Sequence, residues 1–234
     1  TYIEKFVKNY SNATVFTFGG EIYKRYLGLS SSTFSIADSR YNLSDTLNIN
    51  DIKDKTYKKL NLLYVGRLAP GKGLEFLIES LSKINHFEFT LTVIGDGIIK
   101  KDLIKSVKNL NLTDKIIFKG YVHFSLELLE EYTSHDVFIL PSFSEGLPQV
   151  VFEAMSRGIV VVASNVGGIP DQILNKVNGF LFDPGNENQF LKILNEIVLN
   201  RIDLLEIRKN ALLFSKKYAF ENQRDFILKK INLD

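Results

Sequence analysis

Residues 136–168 read DVFILPSFSEGLPQVVFEAMSRGIVVVASNVGG, and their reading decides the fold. Residues 137–140 (VFIL) and 159–163 (IVVVA) are apolar runs, each too short for a helix and each bounded by turn residues. That is the pattern of parallel strands covered on both faces. Between them, Pro148 opens a run of helix formers over 149–157 that ends at Gly158, the usual asymmetry of proline at the start and glycine past the end. The turn 141–148 therefore joins the carboxyl end of a strand to the amino end of a helix. Free N–H groups and the helix dipole favour an anion there, and open α/β sheets bind their ligands at this end. Glu145 lies in the turn and Glu153 inside the helix, among Val150, Val151, Phe152, Ala154 and Met155. A carboxylate in such apolar company costs several kcal/mol or more in desolvation unless something pairs with it. Two readings stand at this point: a carboxylate that is solvated or bonded to backbone, and one that holds a ligand.

Composition narrows the classes. The 234 residues suffice for a core that needs no staples, and the chain has no cysteine, which excludes disulfides, thiolate metal sites and cysteine nucleophiles and fits a cytoplasmic protein. With 29 Lys and Arg against 27 Asp and Glu the net charge is +2, too balanced for nucleic acid as the main partner. No apolar run reaches the roughly 18 residues of a spanning helix and no signal peptide is visible. The first residue is Thr1 rather than Met, so a piece of a longer chain is expected.

Outward from the central stretch, βα alternation is regular. Strands are expected over 60–65, 87–94, 115–119 and 179–182, and helices over 72–84, 98–110, 126–134 and 170–175. With the two strands and the helix of the central stretch, this is a six-stranded, doubly wound parallel sheet of α/β class, since crossovers between parallel strands are right-handed. Residues 187–234 read as helical throughout, with a break near Tyr218-Ala219-Phe220. Before the alternation, 42–59 is rich in Asn and Asp and reads as a connection. Ahead of it, 2–10 has helical spacing with Ile3, Phe6 and Val7 on one face, 14–18 and 32–37 read as strands, and 21–27 as a short helix. One β-α-β unit cannot close a core by itself.

Two glycine turns follow the first two strands of the regular region. Gly66-Arg67-Leu68-Ala69-Pro70-Gly71-Lys72-Gly73 offers two cations and three glycines, which suits a diphosphate, although solvated cations in an ordinary turn fit as well; the glycine spacing is not that of a P-loop. Gly95-Asp96-Gly97 is a weak match to a dinucleotide fingerprint, because Lys100 stands where the third glycine belongs. His86, His123 and His135 are too scattered for a metal site or triad, and Asp136 and Asp183, at strand ends, read as turn or capping residues.

Taken in order, Gly66-Arg67-Leu68 with Lys72-Gly73, Gly95-Asp96-Gly97, Gly120-Tyr121-Val122, Leu140-Pro141-Ser142, Glu145-Gly146-Leu147-Pro148, Glu153-Ala154-Met155 and Gly167-Gly168 resemble the carboxyl-terminal half of the group 1 glycosyltransferases. These are retaining, nucleotide-sugar-dependent enzymes of GT-B fold that include sucrose and glycogen synthase relatives. The resemblance implies that Arg67 and Lys72 bind the donor diphosphate and that Glu153 holds the ribose hydroxyls. It further implies that Glu145 faces the transferring sugar and that backbone of Gly146 and Leu147, next to Pro148, contacts sugar or phosphate. Backbone near Tyr121 and Val122 would meet the base, and Gly95 would border the donor. No metal and no other cofactor is implied.

The same resemblance divides the chain into residues 1–43, the last β-α-β piece of an amino-terminal Rossmann domain; 44–58, a linker; 59–215, the donor-binding domain; and 216–234, a helix crossing back to the first domain. It implies a nucleotide sugar, a sugar or lipid-linked acceptor and the missing amino-terminal domain as partners, in bacterial polysaccharide or glycolipid synthesis. It leaves peripheral contact with the inner membrane face open. Two departures stand out: the glycine-rich loop near the start of the first domain has no counterpart, Gly19-Gly20 not being it, and Ala37-Asp38-Ser39-Arg40-Tyr41-Asn42 stands where relatives carry Pro-Asn-Gly-Val-Asp. Two alternatives remain at this stage, a non-catalytic nucleotide-sugar-binding subunit and a GT-B-like sugar-nucleotide epimerase.

Overall fold

The computed structural model describes residues 2–9, 13–30 and 32–231. The continuous apolar runs become buried parallel strands. β3 (Lys59–Val65), β4 (Glu88–Ile94), β5 (Ile116–Gly120), β6 (Val137–Leu140), β7 (Val160–Ser164) and β8 (Phe180–Phe182) form one six-stranded sheet in the order β5-β4-β3-β6-β7-β8, with every pairing parallel. All residues of β6 and β7 are buried, Ser164 at the end of β7 included, as the apolar runs 137–140 and 159–163 lead one to expect. α3 (Leu74–Ser82), α4 (Lys100–Asn109), α5 (Leu126–Ser134), α6 (Gln149–Ser156) and α7 (Ile169–Gln172) fill the crossovers, followed by α8 (Glu187–Val198), α9 (Leu204–Lys216) and α10 (Phe220–Lys230).

The chain starts at β3, winds outward through β4 to β5, then returns to lay β6 on the other side of β3. That reversal opens a crevice at the carboxyl ends of β3 and β6, the switch point of a doubly wound sheet. Two turns line it. In the first, Gly73 has φ +74, and a Cβ there would overlap the carbonyl oxygen of Pro141, so the turn after β3 packs directly on the turn after β6. The second, after β6, is packed from its far side by Gly167 of the turn after β7, which has φ +55 and where a side chain would strike the carbonyl of Glu145.

Ahead of this sheet, α1 (Tyr2–Asn9) is followed by β1 (Thr14–Phe18), α2 (Gly20–Tyr26) and β2 (Ser32–Ile36), with β1 and β2 paired in parallel from Thr14↔Ser32 to Phe18↔Ile36. Of the apolar face expected on 2–10, Val7 is buried; Tyr10 and the side chains of Ile3 and Phe6 lie outside the described residues. The connection that follows contains two short 3-10 turns, Leu43–Asp45 and Ile49–Asp51.

The carboxyl-terminal region corrects one expectation. It is interrupted not only between Lys216 and Phe220 but also between Val198 and Leu204, where Asn200 takes φ +49 and the Asp203 side chain accepts from the Glu206 N–H at 3.0 Å. A left-handed residue after one helix and an Asp cap before the next make this a designed stop and start.

α9 packs on α6 through Phe214, Phe152 and Tyr218, with the Phe152 and Tyr218 rings stacked at 4.3 Å. Ala37, Tyr41, Phe152 and Ala219 form a second, small core. Along its edge α10 meets residues 34–43: the Ala37 N–H donates to Gln223 Oε1 at 2.9 Å, the Phe220 N–H to the Tyr41 carbonyl at 2.9 Å, and Phe226 meets Phe34 edge-on at 5.7 Å. Tyr41 is 1% exposed and its hydroxyl donates to the Ser215 carbonyl at 2.7 Å. Tyr41→Phe keeps the ring and deletes this bond, so we expect a loss of about 1 kcal/mol and a fall in Tm of about 2–4 °C, measured by thermal unfolding.

Candidate active site

A cavity of about 470 Å³ occupies the switch-point crevice. Eight of the ten residues singled out from the sequence line it: Arg67, Lys72, Gly95, Tyr121, Val122, Glu145, Pro148 and Glu153. Gly146 and Leu147 do not. The Gly146 carbonyl accepts from the Gly168 N–H at 2.7 Å, and Leu147 turns toward Gly19 at the start of α2, so these two form the outer side of the turn. Neither of their N–H groups donates to a described residue.

The wall after β3 is cationic. Gly66 N–H donates to the Ile94 carbonyl at 3.0 Å and Leu68 N–H to the Asp96 carbonyl at 2.9 Å, tying the turn across the end of β4, while the Tyr64 hydroxyl donates to the Arg67 carbonyl at 3.1 Å. The Arg67 side chain is exposed and makes no hydrogen bond to a described residue. Lys72 Nζ reaches Glu145 Oε1 at 2.8 Å, and the Ser142 hydroxyl donates to the same oxygen at 2.7 Å. Both partners of the ion pair are largely covered, with side-chain exposures of 21% and 10%. One carboxylate oxygen is thus saturated from the protein side, and Oε2 is free for a ligand hydroxyl.

α6 supplies the floor. Its amino end, capped by Pro148, receives no side-chain hydrogen bond and has no acidic residue in its first turn, which leaves its N–H groups and the positive end of its dipole at the cavity. Glu153, 2% exposed, sits one helix turn in, where the Tyr132 hydroxyl donates to its Oε2 at 3.0 Å. Burial pushes its carboxyl pKa up, opposed by the Tyr132 bond and by the Arg40 guanidinium. The alternative of a backbone-bonded carboxylate does not hold: its partner is a phenol, and the group borders the cavity.

Sequence reasoning missed Tyr132, Arg40, Tyr64 and Gln149. Arg40 reaches the cavity from the crossing segment after β2, and the buried Gln149 Oε1 has no partner among the described residues. Tyr132 had a signal: it falls on the buried face of α5 with Leu128 and Leu129, and a buried phenol needs an acceptor. None of the three histidines lines the cavity, and His135 is held by Thr92 Oγ1 at 2.8 Å and by the Glu131 carbonyl. Among the described residues no cluster of His, Cys, Asp and Glu fits a metal, and no helix is long and apolar enough to cross a membrane.

Comparison with known proteins gives the family and the fold. Residues 46–213 match the family described as glycosyl transferases group 1, and the chain belongs to that family. It is 38% identical over 160 residues to the sulfoquinovosyl transferase SQD2 of Arabidopsis thaliana, covering 67% of this chain and 30% of that protein. It is 30% identical over 165 residues to the amylovoran biosynthesis glycosyltransferase AmsK of Erwinia amylovora, covering 67% of this chain and 40% of that one. The chain thus spans well under half the length of these relatives. Among solved structures, Alr3699/HepE of Anabaena in complex with UDP superposes over 99% of this chain and 67% of its own, with a TM-score of 0.80 at 21% identity.

The raised pKa of Glu153 has a stability consequence. Because the folded value lies above the ordinary 4.5, the ionised carboxylate costs stability at pH values above the folded pKa, and that cost disappears as pH falls toward the unfolded value. Glu153→Gln, which keeps an acceptor for Tyr132, should therefore have a higher Tm than the wild type at pH 7.5, with the difference vanishing near pH 4; thermal melts across that range check it.

Proposed function

We propose that the chain is the donor-binding, carboxyl-terminal part of a retaining glycosyltransferase that takes its sugar from a nucleoside-diphosphate sugar. One observation carries the reading: a single switch-point cavity has two cations on the wall after β3 and a nearly inaccessible carboxylate on its floor. Those groups complement the two ends of one ligand, a diphosphate and a pair of ribose hydroxyls.

In this reading Glu153 accepts from the ribose hydroxyls, and the backbone beside Tyr121 and Val122 borders the base, with Gly95 alongside. Arg67 and Lys72 take the diphosphate. As the bond from the sugar's anomeric carbon to the diphosphate oxygen breaks, negative charge grows on the leaving group. Lys72, held by Glu145, the Arg67 guanidinium and the amino end of α6 lower the energy of that charge. Lys72 is already positioned by Glu145, whose remaining oxygen faces the sugar. Because Arg67 and Lys72 supply positive charge at the leaving group, we propose transfer without a metal or other cofactor.

The acceptor side would come from an amino-terminal domain packed on the first β-α-β piece, where Phe18, Ile22 and Leu27 are exposed. The biological setting we propose is bacterial polysaccharide or glycolipid synthesis on the cytoplasmic side of the membrane, supported by the likeness to the amylovoran biosynthesis enzyme.

The test is calorimetric titration with UDP, GDP and ADP, with and without EDTA. We expect one nucleotide to bind, with UDP first to be tried because it is the nucleotide in the HepE complex. Lys72→Ala and Glu153→Gln should each weaken that binding about 10- to 100-fold, the worth of one charge-assisted bond, with the circular dichroism spectrum unchanged. Wild-type affinity in both variants would refute the site assignment, and binding abolished by EDTA would refute metal independence.

A further inference from the structure

Glu153 is the least accessible charged group at the cavity, and its placement depends on a neighbour that does not itself line the cavity. Tyr132 is 0% exposed, its ring meets Phe138 edge-on at 5.6 Å, and its hydroxyl donates to Glu153 Oε2 at 3.0 Å. Phenylalanine would fill the same space without a buried hydroxyl to satisfy, so packing alone does not account for a tyrosine. Glu153 Oε1 makes no hydrogen bond to a described residue, and it is not among the buried polar atoms left without a partner. It is therefore the oxygen open to the cavity. A carboxylate has one torsion at its end that turns freely through a broad range. A donor fixed on one oxygen stops that rotation.

We propose that Tyr132 is a positioning residue for the donor's ribose: by donating to Glu153 Oε2 from the core side, it fixes the carboxylate plane so that Oε1 meets the vicinal ribose hydroxyls. This rests on the donor reading above. α5 carries Tyr132 and α6 carries Glu153, so the packing of these two helices sets the height of the ribose above the sheet. The other charged group facing the carboxylate is Arg40, which approaches from the crossing segment and the cavity side. Among the described residues, Tyr132 is therefore the one donor that fixes it from behind.

The experiment compares UDP with 2′,3′-dideoxy-UDP by calorimetry on the wild-type chain, Tyr132→Phe, Glu153→Gln and the double variant. We expect the wild type to prefer UDP and Tyr132→Phe to weaken UDP about tenfold, the worth of one hydrogen bond to a charged group. The dideoxy nucleotide should change by less than about twofold, and in the Glu153→Gln background the second substitution should add almost nothing, as for two residues acting through one contact. An equal loss for both nucleotides would assign Tyr132 a packing role only and overturn the proposal. A wild type that binds both nucleotides equally removes Glu153 from the ribose and overturns the donor reading together with this inference. If the wild type discriminates and Tyr132→Phe discriminates to the same degree, the role of Tyr132 alone falls.

Discussion

The pairing of β6 with β3 is the constraint on which the molecule depends. Leu62↔Val137 and Leu63↔Phe138 are the two registered positions that join the outer half of the sheet, β5-β4-β3, to the half formed by β6-β7-β8. The joint is reinforced at its entrance, where Asp136 Oδ2 accepts from both the backbone and the side-chain amide of Asn61, at 2.9 and 3.0 Å. With the two strands fixed side by side, their following turns must emerge together, and Lys72 of one turn meets the Glu145 carboxylate of the other. The site is thus a product of strand order before it is a product of any individual side chain.

Its electrostatics are arranged in depth. Near the mouth, Lys72 and Glu145 neutralise each other while each retains bonding capacity toward a ligand. Deeper, Glu153 is held against its own desolvation by one phenol and by the field of Arg40. A buried charge with incomplete compensation is a poor stabiliser, and Glu153 stands in an otherwise apolar stretch of helix with one phenol as its hydrogen-bond partner among the described residues.

Much of this was legible in the sequence, for identifiable reasons. Strand β6 was read at its observed limits because four consecutive buried apolar residues leave no other interpretation, and the helix of α5 likewise. The starts of α3 and α4 came two residues later than their apolar spacing suggested, since Gly73, in the left-handed region, ends the turn rather than opening the helix, and Ile99 takes the cap of α4. The stop at 199–203 escaped because apolar spacing continues through it, although Asp203 with Glu206 three residues on is a start signal that spacing alone does not weigh. Site residues contributed by glycine turns were readable from local pattern. Arg40 was not, and Tyr132 could be read as a buried phenol but not matched to Glu153, because each acts across a distance in sequence that only the folded chain removes.

The contacts of α10 have a mechanical meaning. The chain passes once between the small sheet and the large one, through residues 37–43, and α10 lies beside that passage, bonded to it at Ala37, Tyr41 and Leu43. A body hung on one thread can swing about any axis. Here the thread is splinted by a helix that also touches Phe34 of the small sheet, and both supports run along the same line past the buried ring of Tyr41. The small sheet is therefore tied along that line at several points rather than at one. Gly19, packed on Leu147, marks where its edge meets the turn after β6.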